Sequence, residues 1–524
     1  MQQSLEGRWP INVKEVKTGK NNMIFFNPRS ATHNHRLPLS ILQIAASVMN
    51  DHEPVIIDGN FEKDPWQKID HYLQTGDFRF FACSVMPGPQ LKQAVSISKS
   101  IRQNFPGIII IWGGYFPSNY PGICMESGII DFVIRGPGDH AFPTLIKSLI
   151  DDRTDQLAAI GNLVYKLPGG KVCMNPMDPV PDQDSLPDLP LDYLGRFYPL
   201  ERYIVRTFLG NRTLSYHSSI GCPHNCGFCG VAAVYHSSWK GKSARKIVDD
   251  LLRYKARYGI DAIEFHDSNF FCSHARTIEF CTLMKGQGIK WWAEGRIDTM
   301  NHYSDEELRL MSDSGCRLVF MGAETENENQ VALINKGPAF RVSDTVDVVN
   351  RFKVFGIIPQ LSFILGIPGP SPKIMMRQIH NEIRFIRSLK AKNTATELIL
   401  YLFSPVPFES SGILKASQDF GFHFPDTLEE WMTEEWEDFE LRRGRGLPWL
   451  RPSMVRYIRN FEVVLAAAYP GISNFHIGKS GRLILRIPGM IRYKLRWYRF
   501  PFEIKALLRI FSYQRPEKEG FYSK

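Results

Sequence analysis

The sequence predicts an α/β protein in three parts: a doubly wound parallel sheet, a partial (β/α)6 barrel of parallel strands, and a small, mostly helical C-terminal region. Three observations carry this. Short apolar runs alternate with amphipathic stretches of helix length from residue 21 to 155, and again from 206 to 410. A proline-rich stretch divides the two series. Three cysteines fall within eight residues, directly after the first strand of the second series.

Taken in order, residues 1–20 are a polar lead-in. The first series has candidate strands at Met23–Phe26, Val55–Asp58, Phe78–Val85, Ile108–Trp112 and Phe132–Ile134, each with Gly, Pro or Asn close behind. Between them lie candidate helices such as Leu39–Asn50, Gln90–Gln103 and Ala141–Ile150. Apolar strands alternating with helices read as one parallel sheet of five strands, which binds ligands over its carboxyl ends. Residues 156–205 read as a linker: a hairpin over Leu163–Val172 turning at Gly169-Gly170, then an extended stretch, Pro176–Pro190, with five prolines among aspartates. The second series has strands at Leu214–Ile220, Ala262–Asp267, Lys290–Arg296, Arg317–Gly322, Pro359–Ile364 and Glu397–Leu402. Helices are predicted at Ala244–Tyr258, Ala275–Gly286, Ser304–Ser314, Ser343–Phe355 and Pro372–Leu389. Such a barrel carries its chemistry at the carboxyl ends of its strands. Residues 411–524 are irregular and rich in Trp, Phe, Arg and Pro.

Bulk composition excludes several classes. With 524 residues, 44% of them hydrophobic and 22% charged, the chain is an ordinary globular one with room for several cores. No apolar run approaches the ~18 residues of a spanning helix, and no signal-like leader is visible. Nine cysteines, an odd number in a long chain, argue for reduced thiols and a cytoplasmic location. A net charge of +9 is mild and suits an anionic ligand or a membrane surface.

The cysteine cluster reads Gly221-Cys-Pro-His-Asn-Cys-Gly-Phe-Cys-Gly230, a C-x3-C-x2-C spacing. Three thiolates on one short loop hold three corners of a cubane iron–sulfur cluster and leave the fourth iron open to a substrate. Zinc, the competing reading, wants a fourth Cys or His. His224 is poorly placed inside the loop, and His217 precedes it. This spacing, with Phe228 just before the third cysteine, resembles the radical S-adenosylmethionine superfamily. The resemblance implies a [4Fe–4S] cluster on Cys222, Cys226 and Cys229. Its open iron would bind the amino and carboxylate groups of S-adenosylmethionine, which is then cleaved to methionine and a 5′-deoxyadenosyl radical. It also implies an external electron donor such as flavodoxin or ferredoxin. Asp267 and Asn269 after the second strand, Arg296 after the third and Glu324 after the fourth become candidates for seating S-adenosylmethionine, with Gly366-Ile-Pro-Gly369 after the fifth. Polar residues at strand ends also serve as caps and loop anchors. Cys272, Cys281 and Cys316 show no ligand spacing and read as packed thiols.

The strand ends of the first sheet are rich in small residues, among them Gly113, Gly114, Gly136 and Gly138, which let a large flat ligand lie against backbone. Gly136-x-Gly138-x-x-Ala141 mimics a dinucleotide fingerprint but follows the last strand rather than the first. With Leu37-Pro38-Leu39, Ile57-Asp-Gly59, Trp112-Gly-Gly114 and Arg135-Gly-Pro-Gly-Asp139, the segment resembles the Rossmann-like cobalamin-binding domain fused ahead of many radical S-adenosylmethionine enzymes. The resemblance implies bound cobalamin. The Asp-x-His-x-x-Gly loop of other cobalamin proteins is missing, so the corrinoid is expected to have no histidine ligand from the protein. The bland alternative is a sheet kept for structure alone.

At the far end, Trp431, Trp436 and Trp449 lie among charged residues, and Arg486–Arg499 mixes basic with aromatic side chains. That stretch suits peripheral membrane contact or the cover of a hydrophobic substrate; alternatively its aromatics pack on the barrel. No nucleic-acid module is recognisable, and none is expected to bind. The leading expectation is a cobalamin-dependent methylase acting on an unactivated carbon of a substrate that stays open between a hydrophobic lipid, a tetrapyrrole, a peptide and an antibiotic precursor. A second reading keeps both cofactors for a cyclisation, oxidation or rearrangement, and a third is a non-catalytic corrinoid or metal sensor.

Overall fold

The computed structural model describes residues 23–30, 35–472 and 477–511. The polar lead-in at 1–20 and the last part of the C-terminal region, 512–524, lie outside the described residues. The chain divides into two compact units, one of Met1–Tyr203 with Phe424–Glu440, the other of Ile204–His423 with Leu441–Lys524.

The first unit is built on a seven-stranded sheet. Its strands are β1 (Met23–Asn27), β2 (Val55–Asp58), β3 (Phe80–Ser84), β4 (Ile109–Gly113), β5 (Phe132–Ile134), β6 (Leu163–Lys166) and β7 (Val172–Met174). Their spatial order is β2-β1-β3-β4-β5-β6-β7. The first five are parallel, in the doubly wound order whose switch point lies between β1 and β3. Their residues are buried almost throughout, because helices cover both faces; this is why the sequence shows continuous apolar runs rather than alternation. The hairpin expected within the linker instead extends this sheet, with β6 antiparallel to β5 (Val133 opposite Val164). One helix, Pro65–Thr75, is hidden in the sequence by its polar composition; Asp64 caps it, accepting from Trp66 N at 3.1 Å, and Pro65 opens it.

Phe424–Glu440 returns to this unit from far along the chain. Trp431 is buried there against Phe116, Tyr120 and Trp436, with ring centroids at 5.3, 4.7 and 4.9 Å. Lys92 and Lys99 pair with Glu437 and Glu429 at its margin. Trp431 is therefore core of the first unit, and Trp436 packs against it.

The carboxyl edge of the first sheet centres on Asp58, which is wholly buried. Its carboxylate accepts from Asn27 Nδ2 (2.9 Å), Asn60 N (3.0 Å), Asn60 Nδ2 (2.9 Å) and Tyr203 OH (2.8 Å). Burial pushes its pKa up, and these donors oppose the rise.

The second unit holds β8 (Thr213–Tyr216), β9 (Ser219–Gly221), β10 (Trp239–Gly241), β11 (Ala262–Phe265), β12 (Lys290–Arg296), β13 (Cys316–Glu324), β14 (Ile358–Leu365) and β15 (Glu397–Leu402). Six of them form a wholly parallel sheet in sequence order, β8-β11-β12-β13-β14-β15, open between β8 and β15. All six carboxyl ends thus lie on one edge. The strand expected over Leu214–Ile220 is broken in two: β9 leaves the sheet at Ser218 to pair antiparallel with β10. Helices cross between strands; Asp305–Asp313 starts with a Ser304/Glu307 capping box, and Pro372–Lys392 with a Ser371 cap and proline at its first turn. Among the described residues no helix is long and apolar enough to cross a membrane.

Tyr203→Phe removes one donor from a buried carboxylate and should destabilise the first unit by about 2 kcal/mol. Chemical denaturation followed by the intrinsic tryptophan signal measures it.

Candidate functional site

The cysteine loop runs between β9 and β10, at the carboxyl end of β8. Its anchor is Asp267, just past β11. The Asp267 carboxylate accepts from Ser218 N (2.6 Å), from Ser219 Oγ (2.8 Å) and from Ser218 Oγ. Arg276 supports the same corner, donating to Lys242 O (2.8 Å), Phe270 O (2.9 Å) and Ser218 O (3.2 Å). Gly221 then turns at φ +79°, where a Cβ would stand 2.1 Å from Ser238 O, so only glycine fits. Further round, Gly227 N donates to Ile334 O (2.8 Å), Ser411 Oγ to Gly227 O (2.8 Å) and Asn335 Nδ2 to Asn225 O (2.8 Å).

The three thiols have distinct surroundings. A hydrogen bond from the Cys272 thiol, aided by His224 N–H and the Arg296 charge, pulls the Cys222 thiol down to about 6. Burial pushes the Cys226 thiol up, while Lys336 and Arg296 act against the rise. Burial pushes the Cys229 thiol up to about 11, and the neighbouring Cys226 and Cys222 add to it, so the three are close enough to repel when ionised. Among the described residues no three His, Cys, Asp or Glu side chains are grouped as ligands of one metal ion. Metal binding requires the thiolate, and the cations beside Cys226 favour it. The loop therefore fits a cubane cluster on Cys222, Cys226 and Cys229.

Arg296, at the end of β12, is held by both Asp298 oxygens (Nε–Oδ1 3.0 Å, Nη2–Oδ2 2.7 Å) and by Lys336 O. Its remaining nitrogen, Nη1, donates to Cys226 Sγ at 3.3 Å. Glu324, ending β13 at φ +61°, pairs with Lys336, whose ammonium stands 5.5 Å over the Phe228 ring. Asn269 caps the next turn through Phe271 N (3.2 Å), and its Nδ2 is buried without a hydrogen-bond partner. Glu382 Oε2 is likewise buried and unpartnered, beside a cavity of about 10 Å³ that Gly366 and Ile367 also line. Asn269 Nδ2, unpaired at a strand end, fits a polar ligand such as S-adenosylmethionine; Glu382 lies along the helix Pro372–Lys392, beside a cavity with room for about one water.

The structure thus gathers Phe228, Asp267, Asn269, Arg296 and Glu324 on one edge with the cysteines. It also engages Asp267, Arg296 and Glu324 with protein partners. Sequence reasoning missed Cys272, Asp298, Lys336 and Ser218. Cys272 lies three residues after Asn269, a closeness to strand-end chemistry that spacing to the other cysteines hides. Cys281 and Cys316 are fully buried.

In the first unit the four glycines play different parts. A Cβ on Gly114 (φ +94°) would stand 2.8 Å from Ser84 Oγ and Val85 N, so this glycine lets β3 and β4 meet. A Cβ on Gly113 would meet only Ile134 O, at 3.7 Å, which leaves backbone open on that edge. Gly136 (φ +61°) donates its N–H to Ser118 Oγ, and Gly138 packs on Ile44. The open backbone at Gly113 fits a flat macrocycle lying over the strand ends.

Comparison with known proteins supports both domains. The B12 binding domain family matches residues 33–146, and the radical SAM superfamily matches residues 216–376. The uncharacterized methyltransferase PH0819 of Pyrococcus horikoshii is 28% identical over 67% of this chain and 73% of its own. Cytidylyl-2-hydroxyethylphosphonate methyltransferase of Streptomyces wedmorensis is 24% identical over 69% of this chain and 76% of its own. The solved structure of the cobalamin-dependent S-adenosylmethionine radical enzyme OxsB, with aqua-cobalamin and S-adenosylmethionine bound, covers 94% of this chain and 75% of that one, with a TM-score of 0.64. At 16% identity this likeness establishes the fold. The chain is a radical S-adenosylmethionine enzyme. Within that superfamily it belongs with the members that carry a B12-binding domain, and its cofactors are a [4Fe–4S] cluster, S-adenosylmethionine and cobalamin.

Asp267→Ala strips the acceptor from one buried N–H and two hydroxyls. It should destabilise the second unit by about 3 kcal/mol and lower the iron content after reconstitution. A denaturation midpoint and an iron assay on the same preparation test both parts.

Proposed function

We propose that this chain methylates an unactivated carbon of its substrate. One observation carries the reading: a three-cysteine loop, with cationic and thiol donors trained on its sulfurs, shares a chain with a B12-binding domain. Relatives named as methyltransferases support it. On this reading the corrinoid domain spans 21–155, with the β6–β7 hairpin added to its sheet, and the radical domain spans 206–410.

When bound, the cluster and S-adenosylmethionine supply hydrogen abstraction from carbon, and cobalamin supplies the methyl group. The protein's part is to hold and orient. Cys222, Cys226 and Cys229 would hold the cluster, and Phe228 closes the loop beneath Lys336. Arg296 keeps a positive charge on the Cys226 sulfur, fixed there by Asp298. Asn269 would offer an unpaired polar atom to S-adenosylmethionine. Glu324 and Lys336 fix the floor by their ion pair. Gly113, with the turn at Gly136 and Gly138, would receive the corrinoid. A one-electron donor is required, and a flavodoxin or ferredoxin suits the reading.

Anaerobic reconstitution with S-adenosylmethionine, cobalamin and a reductant tests this. The wild-type chain should release both 5′-deoxyadenosine and S-adenosylhomocysteine, measured by mass. Cys226→Ala should lose cluster absorbance and reduce 5′-deoxyadenosine to background, yet retain the corrinoid spectrum. Deoxyadenosine without S-adenosylhomocysteine would point instead to a non-methylating radical reaction, and neither product to a sensor.

A further inference from the structure

The last two described helices of the second unit, Lys479–Leu495 and Phe502–Ile510, carry an apolar face that the radical chemistry does not use. Leu483, Ile487, Ile491 and Leu495 recur every four residues and so form one stripe. They are 61, 58, 55 and 69% exposed. Trp497, Phe500 and Phe502 continue the stripe beyond the helix end, and Phe500 stacks on Phe502 with ring planes 13° apart. Of the thirteen most exposed large apolar side chains among the described residues, nine lie between Leu483 and Ile510, so this is a patch and not scatter.

The patch is built rather than frayed. On the opposite side of the helix, Gly489 lies so close to the helix Pro452–Ala468 that a Cβ would stand 2.5 Å from Ala468 N. Leu485 and Tyr493 are buried with it. Arg492, also buried, winds the following loop around its guanidinium: it donates to Arg499 O (2.8 Å), Phe500 O (3.1 Å) and Trp497 O (3.4 Å), and pairs with Glu503. Arg496 and Phe500 both adopt positive φ to make this turn. Buried interactions therefore hold Trp497 and Phe500 outward.

Charge identifies the partner. Exposed Arg486, Lys494, Arg496, Arg499, Lys505 and Arg509 rim the stripe. Glu503 is the one acidic residue from 477 to 511, and Arg492 already holds it. A second copy of the chain would set this basic rim against itself. An anionic lipid surface meets both features: apolar side chains enter the acyl boundary, tryptophan sits at headgroup level, and Lys and Arg reach the phosphates.

We propose that this face docks the chain on an anionic phospholipid surface. Its test is flotation of the full chain with vesicles of mixed phosphatidylglycerol and phosphatidylcholine, or of phosphatidylcholine alone. The wild type should float with the anionic vesicles, fail to float with the neutral ones, and be released as salt rises. Replacing Ile487→Glu and Ile491→Glu together should lower the bound fraction by roughly tenfold or more, with an unchanged thermal melt. Should that variant fail to fold, Lys494→Glu with Arg499→Glu on the rim must weaken flotation by itself. The proposal falls if the wild type does not float, if both variants float as well as the wild type, or if sedimentation shows a dimer that these substitutions dissolve while flotation is absent.

Discussion

A loop of three cysteines does chemistry only if something other than its own sequence holds it in shape, because a fourth protein sulfur is what this chemistry must do without. Here the constraint is met from below by one buried carboxylate. Asp267 takes the backbone N–H of Ser218 and two serine hydroxyls at the point where β8 gives way to β9. Arg276 braces the same corner from the other side. Gly221 can then make a turn that no residue with a Cβ could enter. Remove the carboxylate, and two hydroxyls and an amide are left buried without an acceptor, next to a loop whose ligands repel one another when ionised.

From that corner outward, groups the sequence scatters over more than a hundred residues act on two of the three sulfurs. Arg296 reaches Cys226 because Asp298 and Lys336 O hold its other nitrogens. Cys272 reaches Cys222 and lowers its pKa. Lys336 adds a second cation near Cys226 while answering Glu324. A cluster with anionic ligands in a partly dry site gains from each of these donors, since charge and hydrogen bonds at the sulfurs set how readily it takes an electron.

How much of this was legible beforehand follows from the physics of each feature. Buried parallel strands announce themselves as apolar runs, so the five parallel strands of the first sheet and all six of the second stand within a few residues of where the pattern puts them. The cysteine spacing is local and could be read directly. The break between β8 and β9 could not, because it depends on Asp267, about fifty residues later. The helix Pro65–Thr75 is polar enough to pass for loop, and only its Asp64 cap and Pro65 mark it. Nor could periodicity place Phe424–Glu440 in the first unit, since tryptophan beside acidic residues says that a ring is buried but not where. Strand-end polar residues were found as a set. Their division into anchors, such as Asp267, and unpaired atoms, such as Asn269 Nδ2, appears only with coordinates.

The central claim is that one iron of a four-iron cluster lacks a protein ligand and takes the amino-acid end of S-adenosylmethionine. Electron–nuclear double resonance on the reduced, reconstituted chain addresses it most directly, using S-adenosylmethionine with isotope-labelled amino nitrogen and carboxylate oxygen. The account predicts hyperfine coupling from both labels. A full cluster complement showing coupling from neither would contradict it.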